Sequence, residues 1–300
     1  MTQAVSSPRL TARLLFVIPL AALLYYPFVG LAAGFAPFLG AASGFAALAG
    51  GPAAGAVTCT DSTVNGDVGV VDPGTFVETS CTVTGTVDLD ATAAYAAFLS
   101  AYTELQFNTA CDQTLTGTLA GVTLPPGVYC FPAAAALTGT LTLSGPADGV
   151  WIFKIGTGGT GALTGTGFSV VMDGAAAEAE CPNVYWWVAQ DATLTASFFQ
   201  GTILAGGNAT VTGGTFKGAA LAGGTGTTAN PTGAVTFTGS TVTACSAAGG
   251  PVVHPGLKCN QGVGNGPEGC DPGNSNHRHL SNDERGGAPG NPGRRPGNRQ

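Results

Sequence analysis

The sequence predicts an all-β fold, a β-helix with imperfect coils, accompanied by one long α-helix. Three observations carry this reading. A short phrase returns along the chain: a small residue or Thr, one apolar residue, then Thr, usually followed by Gly. It stands as Ala56-Val57-Thr58, Thr140-Leu141-Thr142, Ala162-Leu163-Thr164, Thr193-Leu194-Thr195, Thr210-Val211-Thr212 and Thr236-Phe237-Thr238. Successive side chains of a strand point to opposite faces, so each phrase sends its central residue inward and shows two short residues outside. Composition agrees, because 48 glycines and 19 prolines with only 9% charged residues favour short strands joined by tight turns over amphipathic helices. The third observation is a single long segment, Asp90 to Asn108, that contains neither Gly nor Pro. Stacked phrases would form a flat threonine ladder, a surface better suited to an ordered partner than to a small molecule in a cleft.

In chain order, the first element is a basic stretch with Arg9 and Arg13, an apolar run from Leu14 to Tyr26, and a small-residue exit, Gly30 to Gly34. These are the parts of a secretory signal over residues 1–33, with cleavage placed near Ala33. An uncleaved anchor is the rival, since Phe38, Leu39 and Phe45 prolong the hydrophobicity, but Pro19, Pro27 and Pro37 interrupt a uniform span. The body follows over residues 39–248. Its helical segment places Tyr95, Phe98, Leu99, Tyr102 and Leu105 at spacings of three and four, an apolar stripe that packs on the flank of the β body. Asp88 or Asp90 is its expected start, as an acceptor for the first free amides.

After the helix come runs bounded by Gly or Pro. They include Val150 to Ile155 (VWIFKI) and Val184 to Val188 (VYWWV), rich in β-branched and aromatic residues and read as strands. Thr193 and Thr210 lie seventeen residues apart, close to one turn of a small solenoid, while neighbouring intervals are longer. Residues 249–300 form a Gly/Pro/Asn-rich tail whose composition cannot build a core.

Cys59, Cys81, Cys111, Cys130, Cys181 and Cys245 are spread through the body with no C-x-x-C and no nearby His, so disulfides are expected and a zinc or redox site is not. Six cysteines permit fifteen pairings, among which the sequence does not choose. Cys259 and Cys270 are expected to close a small loop in the tail. Between Ala41 and Gly250 the only basic residues are Lys154 and Lys217, which excludes nucleic acid as a partner.

Chemistry of other kinds is not indicated. The acids Asp61, Asp67, Asp72, Asp148, Asp173 and Asp191 are scattered over turns, whereas a glycosidase or lyase needs them clustered. All three histidines, His254, His277 and His279, fall in the tail, so no Ser-His-Asp arrangement is available to the body. Gly156 to Gly161 (GTGGTG) lacks the Lys and helix of a phosphate loop and reads as a solenoid turn. Asp271, Asn274, Asn276 and Asp283 offer oxygen ligands in the tail, but their spacing matches no calcium loop, and neither metal nor cofactor is expected.

The ordered set Phe45 to Gly50 (FAALAG), Val64 to Val70 (VNGDVGV), Leu119 to Tyr129 (LAGVTLPPGVY), Val150 to Ile155, Asn183 to Val188, Phe199 to Leu204 and Gly213 to Leu221 resembles the microbial ice-binding-protein-like domain, an ice-binding adhesin-type β-solenoid. The resemblance covers roughly residues 40 to 245. It implies a right-handed, irregular, three-sided β-helix with one long α-helix packed alongside, acting outside the cell and binding ice through one flat face. That face would hold Ala56 and Thr58, Ala162 and Thr164, Thr193 and Thr195, Thr210 and Thr212, and Thr236 and Thr238. The cysteine content departs from the family pattern.

Physical reasons support such a face. Strands lie about 4.7–4.9 Å apart and alternate residues about 6.6 Å apart, so two threonine columns form a lattice of methyl and hydroxyl groups at repeats near those of ordered water. The β-branched side chain is stiff, so little rotamer entropy is lost on contact with a solid. A single outward Thr is an ordinary strand residue; their joint alignment is what points to ice. The partner expected is an ice surface, met by a monomer. The alternative is a secreted adhesive or structural surface domain that grips carbohydrate or another cell without ice affinity, with the cell envelope or extracellular matrix as the further partners considered.

Overall fold

The computed structural model describes residues 35–51, 55–179, 181, 183–224 and 233–245. The expected signal segment, the tail, the expected Cys259–Cys270 loop and the three histidines lie outside the described residues.

All the paired strands run parallel, as a β-solenoid requires, and they build three faces. One face is a nine-stranded sheet with spatial order Val87–Asp88, Asp67–Val70, Phe45–Ala49, Ala220–Ala222, Thr202–Ala205, Asn183–Val188, Val150–Ile155, Gly127–Phe131 and Gln113–Thr114. The other two belong to one bent sheet, because the nine-residue strands Ala192–Gln200 and Ala209–Lys217 each turn a corner and serve both faces. Coil lengths are uneven. Residues that bridge neighbouring coils are separated by 17, 19, 26 or 29 positions in the chain.

The stack does not follow chain order. Phe45–Ala49 pairs with Asp67–Val70 on one side and with Ala220–Ala222, from the last coil, on the other. The chain thus makes its first two coils, travels to the opposite end through the helix, and coils back until its final turn abuts its first.

That helix, Thr92–Phe107, has 16 residues and is therefore about 24 Å long. Five inter-strand steps separate Phe45–Ala49 from Gly127–Phe131, also about 24 Å, so helix and stack match in length. Ala94, Phe98, Ala101, Tyr102 and Leu105 are its buried residues, packed with Leu48, Val128, Ile152, Tyr185, Trp187, Leu204 and Leu221 of the sheet. Three side chains fasten it along its length: Tyr95 Oη donates to Gly223 O (2.7 Å), Tyr102 Oη to Val188 O (3.2 Å), and Lys154 Nζ to Gln106 O (3.3 Å) and to Thr109 O (2.6 Å), just past its end. The lysine places a positive charge where the C-terminal carbonyls of the helix accumulate.

The expected N-cap is corrected. Ala91 caps the helix without a side-chain bond, since Asp88 Oδ1 accepts from Asp90 N and Asp90 Oδ1 from Thr92 Oγ1. The two carboxylates close the turn that feeds the helix and are used before its free amides begin.

Because the helix covers the outer side of the central strands of the nine-stranded sheet, both sides of those strands are buried, and VWIFKI and VYWWV read as continuous apolar runs. Alternate residues point into the solenoid. There Tyr129, Phe153, Trp186, Phe199 and Phe216 form an aromatic spine with successive ring centroids 5.5, 4.0, 5.0 and 5.6 Å apart. Three disulfides, Cys59–Cys81, Cys111–Cys130 and Cys181–Cys245, fix the pairing that the sequence left open. The first two close loops of 22 and 19 residues, worth about 3 kcal/mol each on a chain-entropy basis.

Burial gives the molecule an alkaline limit. Desolvation raises the phenols of Tyr129 and Tyr185 to about 12, with the charge of Asp112 adding to the effect at Tyr129, and raises Tyr102 further. A phenol whose folded pKa exceeds its unfolded value near 10 contributes stability that is whole below that value and is lost as pH rises through the folded one. Lys154, lowered by desolvation, acts in the opposite sense, but it is one group against four, because burial raises the Tyr95 phenol as well. Melting temperature is accordingly expected to stay level through neutral pH and to fall between about pH 10 and pH 12. Calorimetric scans across that range check it, and a flat profile up to pH 12 would contradict the burial of these phenols.

Candidate functional site

The ladder face begins with Ala135–Leu137, Leu163–Thr166 and residues 192–195, and continues through residues 209–212, Val235–Thr238, Ala56–Thr60 and Thr75–Thr79. Its inward row is Gly165, Leu194, Val211, Phe237 and Cys59, in register from coil to coil. On either side of that row stand two outward columns. The first reads Thr164, Thr193, Thr210, Thr236 and Thr58, bounded by Ala136 and Val77. The second reads Thr166, Thr195, Thr212, Thr238, Thr60 and Thr79. No charged residue interrupts either column. Every member is exposed or half-exposed.

Eight of the ten residues singled out in the sequence are therefore brought together as two straight rows. Ala56 and Ala162 stand elsewhere. They share a third row, Ala162, Asp191, Asn208, Ala234 and Ala56, as the backbone bonds Leu163 N to Asp191 O, Ala192 N to Asn208 O and Ala209 N to Ala234 O place it. In the middle of that row the side chains tie coils together: Asp191 Oδ1 accepts from Asn208 N (2.7 Å) and Asn208 Oδ1 from Ala234 N (2.9 Å). The partners of Thr195 and Thr238 at the outer ends of this run are Thr166 and Thr60, which the apolar-centred phrase missed by two residues. A shift of two keeps a side chain on the same face and moves it one column along the strand.

The missing signal is the residue after the second threonine. Gly167, Ala196, Gly213, Gly239, Asp61 and Ser80 all have φ between 47° and 66° and follow Thr166, Thr195, Thr212, Thr238, Thr60 and Thr79. Each coil turns its corner on one left-handed residue, which explains the recurrent Thr-Gly. Aligning the phrases on that corner recovers both columns. At Gly239 an added Cβ would meet nothing within 4 Å, so glycine serves its φ of 62° and not a lack of space. Behind the corner, buried serines hold the turn: Ser240 N donates to Ser62 Oγ (3.1 Å), Ser62 Oγ to Thr60 O (2.8 Å) and Ser197 Oγ to Thr195 O (3.0 Å). The second column is thereby rigid down to its backbone.

Thr140 and Thr142 carry the same phrase but lie on the third face, paired with Ser169 and Val171. The scattered acids serve the backbone: Asp67 accepts from Thr86 N and Oγ1, and Asp112 from Val128 N. GTGGTG is the turn between Val150–Ile155 and Leu163–Thr166.

Residues 39–243 match the model of a family described as Ice-binding-like. Among solved structures, the fold is similar to an ice-binding protein from an Antarctic biological consortium, with 30% identity, a TM-score of 0.60, and coverage of 70% of this chain and 91% of that one. It is also similar to an ice-binding protein from the Antarctic ascomycete Antarctomyces psychrotrophicus, with 29% identity, a TM-score of 0.57, and coverage of 70% and 99%. An ice-binding protein from an Antarctic bacterium of the Flavobacteriaceae shares 35% identity at a TM-score of 0.55, and there the match covers 70% of this chain and 47% of that one. No curated protein sequence matches this chain significantly.

Proposed function

Since the chain belongs to the ice-binding-like family, we propose that it binds ice through the two threonine columns of the ladder face and thereby inhibits ice growth and recrystallisation. The single observation that carries this reading is the register. Five threonines in one column and six in the other continue without a break across successive parallel coils. At strand spacings of about 4.8 Å and 6.6 Å such rows can hold water molecules in an ice-like order, with methyl groups seated between them. Short β-branched side chains on a solenoid locked by corner and core have little freedom left to lose, so adsorption costs little ordering entropy.

The protein acts as a monomer outside the cell, a placement supported by its three disulfides. Binding alone suffices for this role, because an adsorbed molecule forces the ice front to curve between its neighbours. Ice crystals grown in dilute protein are expected to become faceted and to stop coarsening. Rounded discs that coarsen at the rate of buffer controls would refute the proposal and favour a surface domain for carbohydrate.

A further inference from the structure

The ladder face shares its αL corner with the third face, and on four consecutive coils a threonine stands on each side of that corner. The pairs are Thr212 and Thr215, Thr238 and Thr241, Thr60 and Thr63, and Thr79 and Thr82. The outer members are themselves in register, Thr215 with Thr241, Thr241 with Thr63 and Thr63 with Thr82. They form a third threonine column, exposed except at Thr63, which is half-buried. Between the columns lie only the left-handed corner residue and one further residue, Gly214, Ser240, Ser62 or Cys81.

The geometry points to a second ice-contacting surface, the column Thr215, Thr241, Thr63 and Thr82, continuous with the ladder face around the corner. This rests on the ice-binding reading above. Its spacing along the stack is the strand spacing of the same coils, so a lattice matched by one side of the corner is matched by the other. The same stiff side chain occupies every position.

The surface has definite limits. In the next coils Phe198, 44% exposed, and Ser169 replace the threonine, so the two-sided ridge spans about half of the solenoid. Further across the third face the outward row becomes Lys217, Thr243 and Asn65, whose charge and amide bound it. Asp61 is the one charged residue on the crest, beside Gly239.

Two surfaces of a rigid prism meet at an angle and cannot both lie on one flat crystal plane. The consequence is adsorption to two differently oriented sets of ice planes, one through each side of the ridge. A fusion of the full chain to a fluorescent protein, adsorbed on a single-crystal ice hemisphere, reads this directly. The wild type is expected to illuminate two sets of planes. T241Y should remove one set, and T236Y the other, each retaining the wild-type melting curve. T215Y serves as the second probe of the ridge should T241Y melt early. Illumination of a single set by the wild type, or a pattern unchanged in folded T241Y or T215Y, overturns the second surface while leaving the ladder face intact. Absence of any illuminated plane overturns the ice-binding reading itself.

Discussion

Replacing Thr210 by tyrosine is expected to abolish adsorption through the ladder face, and with it most of the recrystallisation inhibition, while moving the melting temperature by no more than about 1–2 °C. Thr210 is the third of five threonines in its column, flanked by Thr193 and Thr236. A ring standing above that plane holds ice away from its neighbours as well as from itself. The outward position is half-exposed and contributes little to the core, so stability changes by about 0.5 kcal/mol at most. Thr193→Tyr should behave alike. A comparison of Thr60→Tyr with Ala56→Tyr tests the column assignment: Thr60 belongs to the second column, whereas Ala56 lies in the row interrupted by Asp191 and Asn208. Thermal hysteresis and a circular-dichroism melt on each variant decide the matter. Equal losses for Thr60→Tyr and Ala56→Tyr would show that the contact is not confined to the two threonine columns.

Trp186→Ala is expected to cause the largest loss of stability, about 3–5 kcal/mol. Its indole is fully buried at the centre of the aromatic spine, stacked 4.0 Å from Phe153, with Phe199 tilted at 5.0 Å and Phe168 edge-on at 6.2 Å. Truncation opens a cavity that rings held by their own strands cannot fill. It also removes the donor that Nε1 offers to Gln200 O at 3.1 Å. At about 2–4 °C per kcal/mol the melting temperature should fall by roughly 6–20 °C in a calorimetric scan. Ice shaping, assayed near freezing and well below that transition, should persist. A shift under about 3 °C would mean that the spine is looser than its spacing implies.

Sequence and structure agree most closely where a local rule suffices. The stripe Tyr95, Phe98, Leu99, Tyr102 and Leu105 announces a helix because period 3.6 is written into nineteen residues free of Gly and Pro, and the strands announce themselves by apolar runs. Threonine parity was equally plain: the ten singled-out residues all face outward. The column each occupies was not. Inter-coil register depends on the length of each coil, and the chain separation of bridging residues varies from 17 to 29, so Ala162-Leu163-Thr164 and Thr193-Leu194-Thr195 look equivalent yet are offset by two. The start of the helix was misread for a related reason, since an aspartate before a helix can bond an amide in the preceding turn, as Asp88 does. Disulfide pairing and the adjacency of first and last coils involve partners far apart in the chain, about which local pattern is silent.

That adjacency bears on how the protein comes into being. Thr58 and Thr60 belong to the opening coil, and their neighbours in the columns, Thr236 and Thr238, belong to the closing one. During synthesis the early turns must wait, one edge unpaired, until nearly two hundred residues later their mates emerge. An ordinary solenoid can zip up turn by turn; here the joint between opening and closing coils can form only once the closing coil exists. A partial product owns only pieces of the threonine lattice, and Thr236 and Thr238 join the rows of the opening coils to those of the middle ones.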